Sequence, residues 1–407
     1  MQKNRAALAM FGVLLISYML NAADRSLFSI LAVEVRSAMS LSLPEVGLAT
    51  TVFALGMGLA GVPTGYLLSF LKRRTVVQLG LLIFSAATFL TAYSHGLPDL
   101  LLYRFISGLG EAMQVTAILA IGASYFPKNR ALMTGSVSFA YGIGSFVGPV
   151  ATAKLLAAFD WKMPFIVFGL LGIVAIALVA VGVWSWFSEN KGNAGQQAGD
   201  EGRIYPAGDS DTIWNPVTVL LALAAVSAGV ASYGLAGLYP TYMRSALGFT
   251  PQQAAGVMSM IGIGGFLAPL GGWLGDRLGY QRVLMIALPL TGLAGCLAFS
   301  ELNKSIILHS MVAVLYGVAV LTLLYSNMSA IIISSMKPSM TAKTSGMFIA
   351  SYYIPAAFAG YLLAQIKEAT DWSTAGILQT AGFAFLSMLL IVAAGIKGRP
   401  AMAPAKA

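Results

Sequence analysis

Twelve apolar runs, each long enough for a helix to cross a bilayer, follow one another along this chain with short polar connections between most of them. They cover residues 7–32, 45–70, 75–95, 98–124, 131–156, 163–187, 215–243, 252–275, 281–300, 304–334, 341–365 and 373–396. A membrane-crossing helix needs about 20 mostly apolar residues, because a backbone in lipid must satisfy its own hydrogen bonds. No run alternates apolar and polar residues over about ten positions, which argues against a β-barrel. Composition agrees. Of 407 residues, 58% are hydrophobic and 10% are charged, against about 25% charged in soluble domains. A disordered chain, a disulfide scaffold and an ordinary soluble enzyme do not fit these figures. The net charge of +9 is scattered between apolar runs, a pattern that speaks for topology and not for nucleic-acid binding.

The expected fold is therefore an all-α membrane protein of twelve transmembrane helices. Lys3 and Arg5 ahead of an apolar stretch give the N-terminus the look of a signal peptide. The apolar character continues past Asp24 and Arg25 to about Val33, however, so a first span is expected in place of a cleaved leader. With the N-terminus inside, the inner connections hold sixteen Lys and Arg residues and the outer ones six. This bias predicts both termini in the cytoplasm of a multi-pass plasma-membrane protein, expected in a bacterial inner membrane. The lone Cys296 lies in an apolar run, where a small packing residue is expected.

The longest polar stretch, 188–214, is rich in Gly, Asp and Glu and sits at the midpoint of the chain. It predicts an N-terminal six-helix half (1–187), a cytoplasmic linker (188–214) and a C-terminal six-helix half (215–407). A weak repeat supports the division. Gly61 to Arg74 and Pro269 to Arg282 each place a Gly-rich helix end before a basic turn. Parallel six-helix halves are a transporter arrangement with substrate at the midplane.

Nearly all charged residues fall in connections or at span ends. Asp24, Arg25, Arg104 and Glu111 lie well inside spans. A charge at a helix centre costs roughly 2.5–3.5 kcal/mol on insertion scales, so such residues face a polar cavity and mark an ion or substrate path. All four are expected to line one central cavity. Arg104 and Glu111 are seven residues apart and share a helix face, with Gly108 between them. Asp24 and Arg25 are about 100° apart and cannot point the same way. A guanidinium grips a carboxylate bidentately, so Arg25 or Arg104 is expected to hold an anionic substrate. An anion added to this neutral set leaves excess negative charge, which protonation of Asp24 or Glu111 removes. Anion and proton binding then favour each other. Gln114 and, from the second half, Tyr239, Asn327 and Tyr352 complete the expected substrate contacts. Tyr242, Tyr325 and Tyr353 are weaker candidates. His95 and His309 are expected near the outer surface, in water. No phosphate loop, metal-spaced Cys/His set or nucleophile with a base partner is present in the sequence. No cofactor is expected, nor an ATP-driven pump, a membrane enzyme or a nucleic-acid partner.

The segment Gly272-Trp-Leu-Gly-Asp276-Arg277-Leu-Gly279 resembles the signature loop of the major facilitator superfamily. That resemblance implies gating roles for Asp276 and Arg277 in a cytoplasmic latch. The first-half copy carries Ser69 where the acid is expected. Asn21-Ala-Ala-Asp24-Arg25, Arg104 to Ala112 and Tyr233 to Tyr242 are similar to the anion:cation symporter branch, which includes sialin, the vesicular glutamate transporters and bacterial sugar-acid permeases. Spinster-like transporters share the first two motifs. Gly144-Ser-Phe-Val-Gly148-Pro149 resembles an antiporter motif without its trailing glycines, and plain helix packing is expected there. The resemblance implies a monomeric, proton-coupled symporter of a small organic anion, a carboxylate or sugar acid. The alternative it leaves is an exporter of a drug or lysolipid driven by proton exchange.

Overall fold

The computed structural model describes residues 2–126, 129–189, 212–300, 304–337 and 340–397. Twelve of its helical segments are long and apolar enough to cross a membrane. In the first half they are α1 (Lys3–Ala38), α2 (Leu43–Gly61), α3 (Arg73–Thr91), α4 (Leu97–Tyr125), α5 (Leu132–Ala158) and α6 (Lys162–Gly182). In the second half they are α7 (Pro216–Ser245), α8 (Pro251–Leu278), α9 (Tyr280–Ala298), α10 (Ile306–Ser334), α11 (Lys343–Ala369) and α12 (Trp372–Ile396). No strand occurs among the described residues. Because the spans alternate in direction, the start of α1, the end of α6, the start of α7 and the end of α12 share one face, here the terminal face. Most of the expected 188–214 linker, with Lys191 and Arg203, lies outside the described residues.

The repeat between the halves extends to helix starts and breaks. α2 opens on a capping box in which Ser42 and Glu45 cap each other's backbone, with Pro44 in the first turn. α8 opens on the same device built from Thr250 and Gln253, with Pro251 in the first turn. Such boxes satisfy the free N–H groups of a helix start. Each regular helix then runs for nine residues, Leu43–Thr51 and Pro251–Ser259, before a local break. Two further spans contain wider π-type turns, Val318–Leu324 in α10 and Ile377–Gly382 in α12. Such turns change which side chains face inward.

The halves meet along α1–α7, α2–α11 and α5–α8. Away from the terminal face the contact is tight. A Cβ on Gly47 would collide with the Gly360 backbone, and one on Gly360 with the Gly47 backbone, so only glycine permits this α2–α11 crossing. Beside it the Thr51 hydroxyl donates to Ala357 O at 2.8 Å. Glu34 of α1 and Arg244 of α7 form a two-pronged ion pair between the halves. At the terminal face, after a short helical turn (Ser185–Ser188), Glu189 reaches back to α3. Its carboxylate accepts from the backbone N–H of Arg73 at 3.0 Å and of Arg74 at 3.2 Å. A carboxylate thus sits on the turn where Ser69 replaced the expected acid.

Candidate functional site

The side chains of α1 divide into two adjoining stripes. Tyr18, Ala22, Arg25 and Ser29 face a central cavity of about 390 Å³ between the halves. Ser17, Asn21 and Asp24 are buried against other helices. The 100° step between neighbouring helix positions creates this separation and sends Asp24 and Arg25 to different surroundings. The cavity runs from Thr50, Thr51 and Gly237, next to the sealed end, to Leu119, Thr134 and Ile349 in the parts of their helices nearer the terminal face.

Arg25 Nε lies 2.8 Å from Glu111 Oε2 of α4. Glu111 is fully buried, and among the described residues no other donor reaches its carboxylate. Arg25 also donates from Nη2 to Asn21 Oδ1 at 3.2 Å, and its guanidinium lies over the Tyr141 ring, 5.3 Å from the centroid. Asn21 ties α1 to α4, donating from Nδ2 to Glu111 O at 3.2 Å and to Gln114 Oε1 at 2.8 Å. Gln114 in turn donates to Ser17 Oγ at 3.0 Å. The remaining two buried charges lie apart from this pair. Asp24 accepts from the Thr88 hydroxyl at 2.9 and 3.1 Å. Arg104 donates to Ala49 O at 3.4 Å, packs over Phe53 and Phe28, and keeps Nη2 without a hydrogen-bond partner among the described residues. Gly108 brings this part of α4 against α2, where a Cβ would strike Phe53 O.

Several expected positions need correction. The four charges do not share the cavity wall: only Arg25 stands on it, and Asp24, Arg104 and Glu111 lie behind it. Packing of α1 and α4 against α2 and α3 closes over them. Gln114 is likewise behind the wall, as part of the α1–α4 network. Tyr352 lines the cavity, but Tyr239 and Asn327 do not. Tyr239 points away to His309, with 2.7 Å between its hydroxyl and Nδ1. His309 is buried and not in water, because Tyr239 and the Phe249 ring enclose it. Asn327 braces α10 against α8, donating to Gly271 O at 3.0 Å and to Leu323 O at 2.7 Å. Asp276 and Arg277 are exposed at the end of α8. Asp276 accepts from the Tyr280 hydroxyl at 2.9 Å, and Arg277 stacks over Trp273 at 4.5 Å.

Sequence reasoning found Tyr325, Tyr352 and Tyr353 but missed Tyr18, Tyr141, Tyr233 and Tyr316 as cavity residues. Tyr18 and Tyr141 line the cavity from the first half, and Tyr233, Tyr316, Tyr325, Tyr352 and Tyr353 from the second. Tyr18 was findable as the residue two helical turns before Arg25. Tyr141 and Tyr316 carry no distinguishing sequence signal.

Comparison with known proteins adds four findings. The family described as Major Facilitator Superfamily matches residues 14–360. The "Probable L-galactonate transporter" of Escherichia coli (strain K12) is 31% identical over 169 residues, which is 41% of this chain and 36% of that relative, so the match spans well under two thirds of its length. The "4-hydroxybenzoate transporter PcaK" of Pseudomonas putida is 22% identical over 327 residues, 72% of each chain. Among solved structures, a bacterial homologue of the human lysosomal transporter Spinster, inward-facing and unoccupied, superposes with a TM-score of 0.71 at 18% identity, covering 98% of this chain and 99% of the other. That likeness concerns the fold.

Proposed function

The chain belongs to the Major Facilitator Superfamily, and from that premise we propose that it is a proton-coupled symporter of a small organic anion. It is a multi-pass membrane transporter and not an enzyme. The observation that carries the reading is the Arg25–Glu111 pair. Arg25 faces the cavity, and Glu111 sits behind it with no other donor among the described residues.

A substrate carboxylate entering the cavity competes with Glu111 for the Arg25 guanidinium. When Arg25 turns to the substrate, Glu111 is left as an unpaired charge in a dry pocket, which is strongly unfavourable. Taking up a proton removes that charge. Substrate and proton therefore load together, and by reciprocity each raises the affinity for the other. The charges facing Glu111 are Arg25 from α1 and, at longer range, Asp24 and Arg104. The last two are the internal counter-charges that keep the empty set neutral. Relatives named for L-galactonate and 4-hydroxybenzoate transport are in keeping with a carboxylate cargo.

In the proposed topology both termini lie in the cytoplasm of a bacterial inner membrane. The terminal face is then the inner face, and the Glu34–Arg244 seal closes the outside. The 188–214 stretch links two halves that rock about the cavity, in a protein that works as a monomer. Asp276 and Arg277 belong to an inner latch that re-forms when the carrier turns outward.

The test is uptake into proteoliposomes by the purified chain, using radiolabelled organic acids and an uncharged sugar under an imposed pH gradient, acid outside. Accumulation of an acid that collapses with a protonophore is expected. Uptake that ignores the pH gradient, or that favours the uncharged sugar, would overturn the reading.

A further inference from the structure

We propose that the cavity selects a planar aromatic monocarboxylate over a sugar acid or a dicarboxylate. This rests on the organic-anion reading above and narrows it. Three features of the wall converge on it.

The first is the cation count. Arg25 is the one Lys or Arg on the cavity wall among the described residues. Arg104, the other buried guanidinium, is closed off behind Phe28 and Phe53. A first carboxylate can pair with Arg25, but a second would leave water with no cation to meet it. The cavity therefore suits one negative charge.

The second is the state of the hydroxyl groups. Several of those on the first-half wall turn back onto backbone carbonyls. Ser26 donates to Ala23 O at 2.8 Å, Ser29 to Ser26 O at 3.0 Å and Thr50 to Val46 O at 2.8 Å. On the second-half wall, the Tyr316 hydroxyl donates to Ser232 O at 2.6 Å and the Tyr353 hydroxyl to that of Tyr325 at 3.2 Å. A sugar acid carries a hydroxyl on nearly every carbon, and each would lose hydrogen bonds to water. These engaged hydroxyls can replace few of them without giving up a bond they already make.

The third is the ring geometry. Tyr233 meets Tyr352 and Tyr353 edge-on, with centroids 6.2 and 5.9 Å away. Tyr325 stands 5.4 Å from Tyr352. Aromatic rings favour edge-to-face and offset partners at these separations. On the first-half side, the Tyr141 ring lies under the Arg25 guanidinium itself. A ligand with its carboxylate on Arg25 would carry its ring into the cavity between Tyr141 and this second-half cluster. A benzenoid acid can meet these rings face or edge, and a saturated ring of the same charge gains less from them.

The experiment is calorimetric binding to the purified full chain in lipid nanodiscs, in mildly acid buffer, with benzoate, cyclohexanecarboxylate, gluconate and benzamide. Benzoate is expected to bind about tenfold tighter than cyclohexanecarboxylate, which shares its charge but not its aromatic faces. Gluconate is expected to bind more weakly than either, and benzamide not measurably. In Tyr233→Leu the preference for benzoate over cyclohexanecarboxylate should vanish. The comparison within the native chain stands even if that variant does not fold. Equal binding of benzoate and cyclohexanecarboxylate, or tighter binding of gluconate, overturns this inference and leaves the organic-anion reading in place. Benzamide binding as tightly as benzoate, or no binding by any of the acids, overturns both.

Discussion

Glu34 and Arg244 lock the two six-helix halves together at the end of the bundle away from the termini. Arg244 Nη1 donates to Glu34 Oε2 at 2.7 Å and also to Ile30 O at 3.1 Å, while Nη2 pairs with the second carboxylate oxygen. The pair joins α1 to α7 directly above the cavity, so it must part before the cavity can open on that side.

Breaking this clamp should shift the conformational balance. Glu34→Gln keeps the shape but replaces two charge-assisted bonds with weaker neutral ones, and charge-assisted bonds are roughly twice as strong. A cysteine placed at Ser29, in a Cys296→Ala background, should react about tenfold faster with a membrane-impermeant maleimide added to the outside of cells. An unchanged rate would show that the Gly47–Gly360 crossing seals the face without help from the ion pair.

That crossing supplies a second prediction. Gly360→Val puts a branched side chain where the Gly47 backbone lies. The variant should disfavour the sealed state, and spin labels on α2 and α11 near Leu43 and Lys367 should report longer distances than in the parent. Distances matching the parent would show that the two helices slide apart without cost.

At the opposite end, Asp276→Asn should slow turnover while leaving equilibrium binding within a few fold. Asp276 is exposed, and its partner here is the nearby Tyr280 hydroxyl, far from Arg25. Transport rates and calorimetric affinities measured on one preparation check this. Loss of binding in a folded variant would place Asp276 in the substrate site.

Much of the fold was legible because lipid imposes a simple rule: long apolar runs must be helices. The run at 45–70 could not disclose its break near Val52, since the residues on both sides are equally apolar. The buried charges were legible because each is costly in a span. Their grouping was not. Which of Arg25 and Arg104 faces the cavity depends on how α1 and α4 rotate against α2 and α3, and glycine contacts such as Gly108 on Phe53 set that rotation. Tyr239 and Asn327 looked functional because they are polar groups in spans, yet a buried histidine engages the Tyr239 hydroxyl and backbone carbonyls of Gly271 and Leu323 engage the Asn327 amide N–H groups. The Glu34–Arg244 clamp was missed because both residues sit at span ends, where charges are commonplace.

The most direct measurement is the pH dependence of substrate affinity in the parent and in Glu111→Gln, with thermal unfolding as the folding check. If binding draws one proton onto Glu111, affinity in the parent should fall about tenfold per pH unit over the range where Glu111 is ionised in the empty carrier. Gln keeps the shape and hydrogen-bonding capacity of the protonated acid but cannot ionise. Glu111→Gln should therefore bind substrate with a nearly flat pH profile. It should still exchange internal for external substrate, and it should fail to accumulate substrate on a pH gradient. A folded Glu111→Gln variant that keeps the parental pH slope and accumulates substrate like the parent would contradict the coupling role of the Arg25–Glu111 pair.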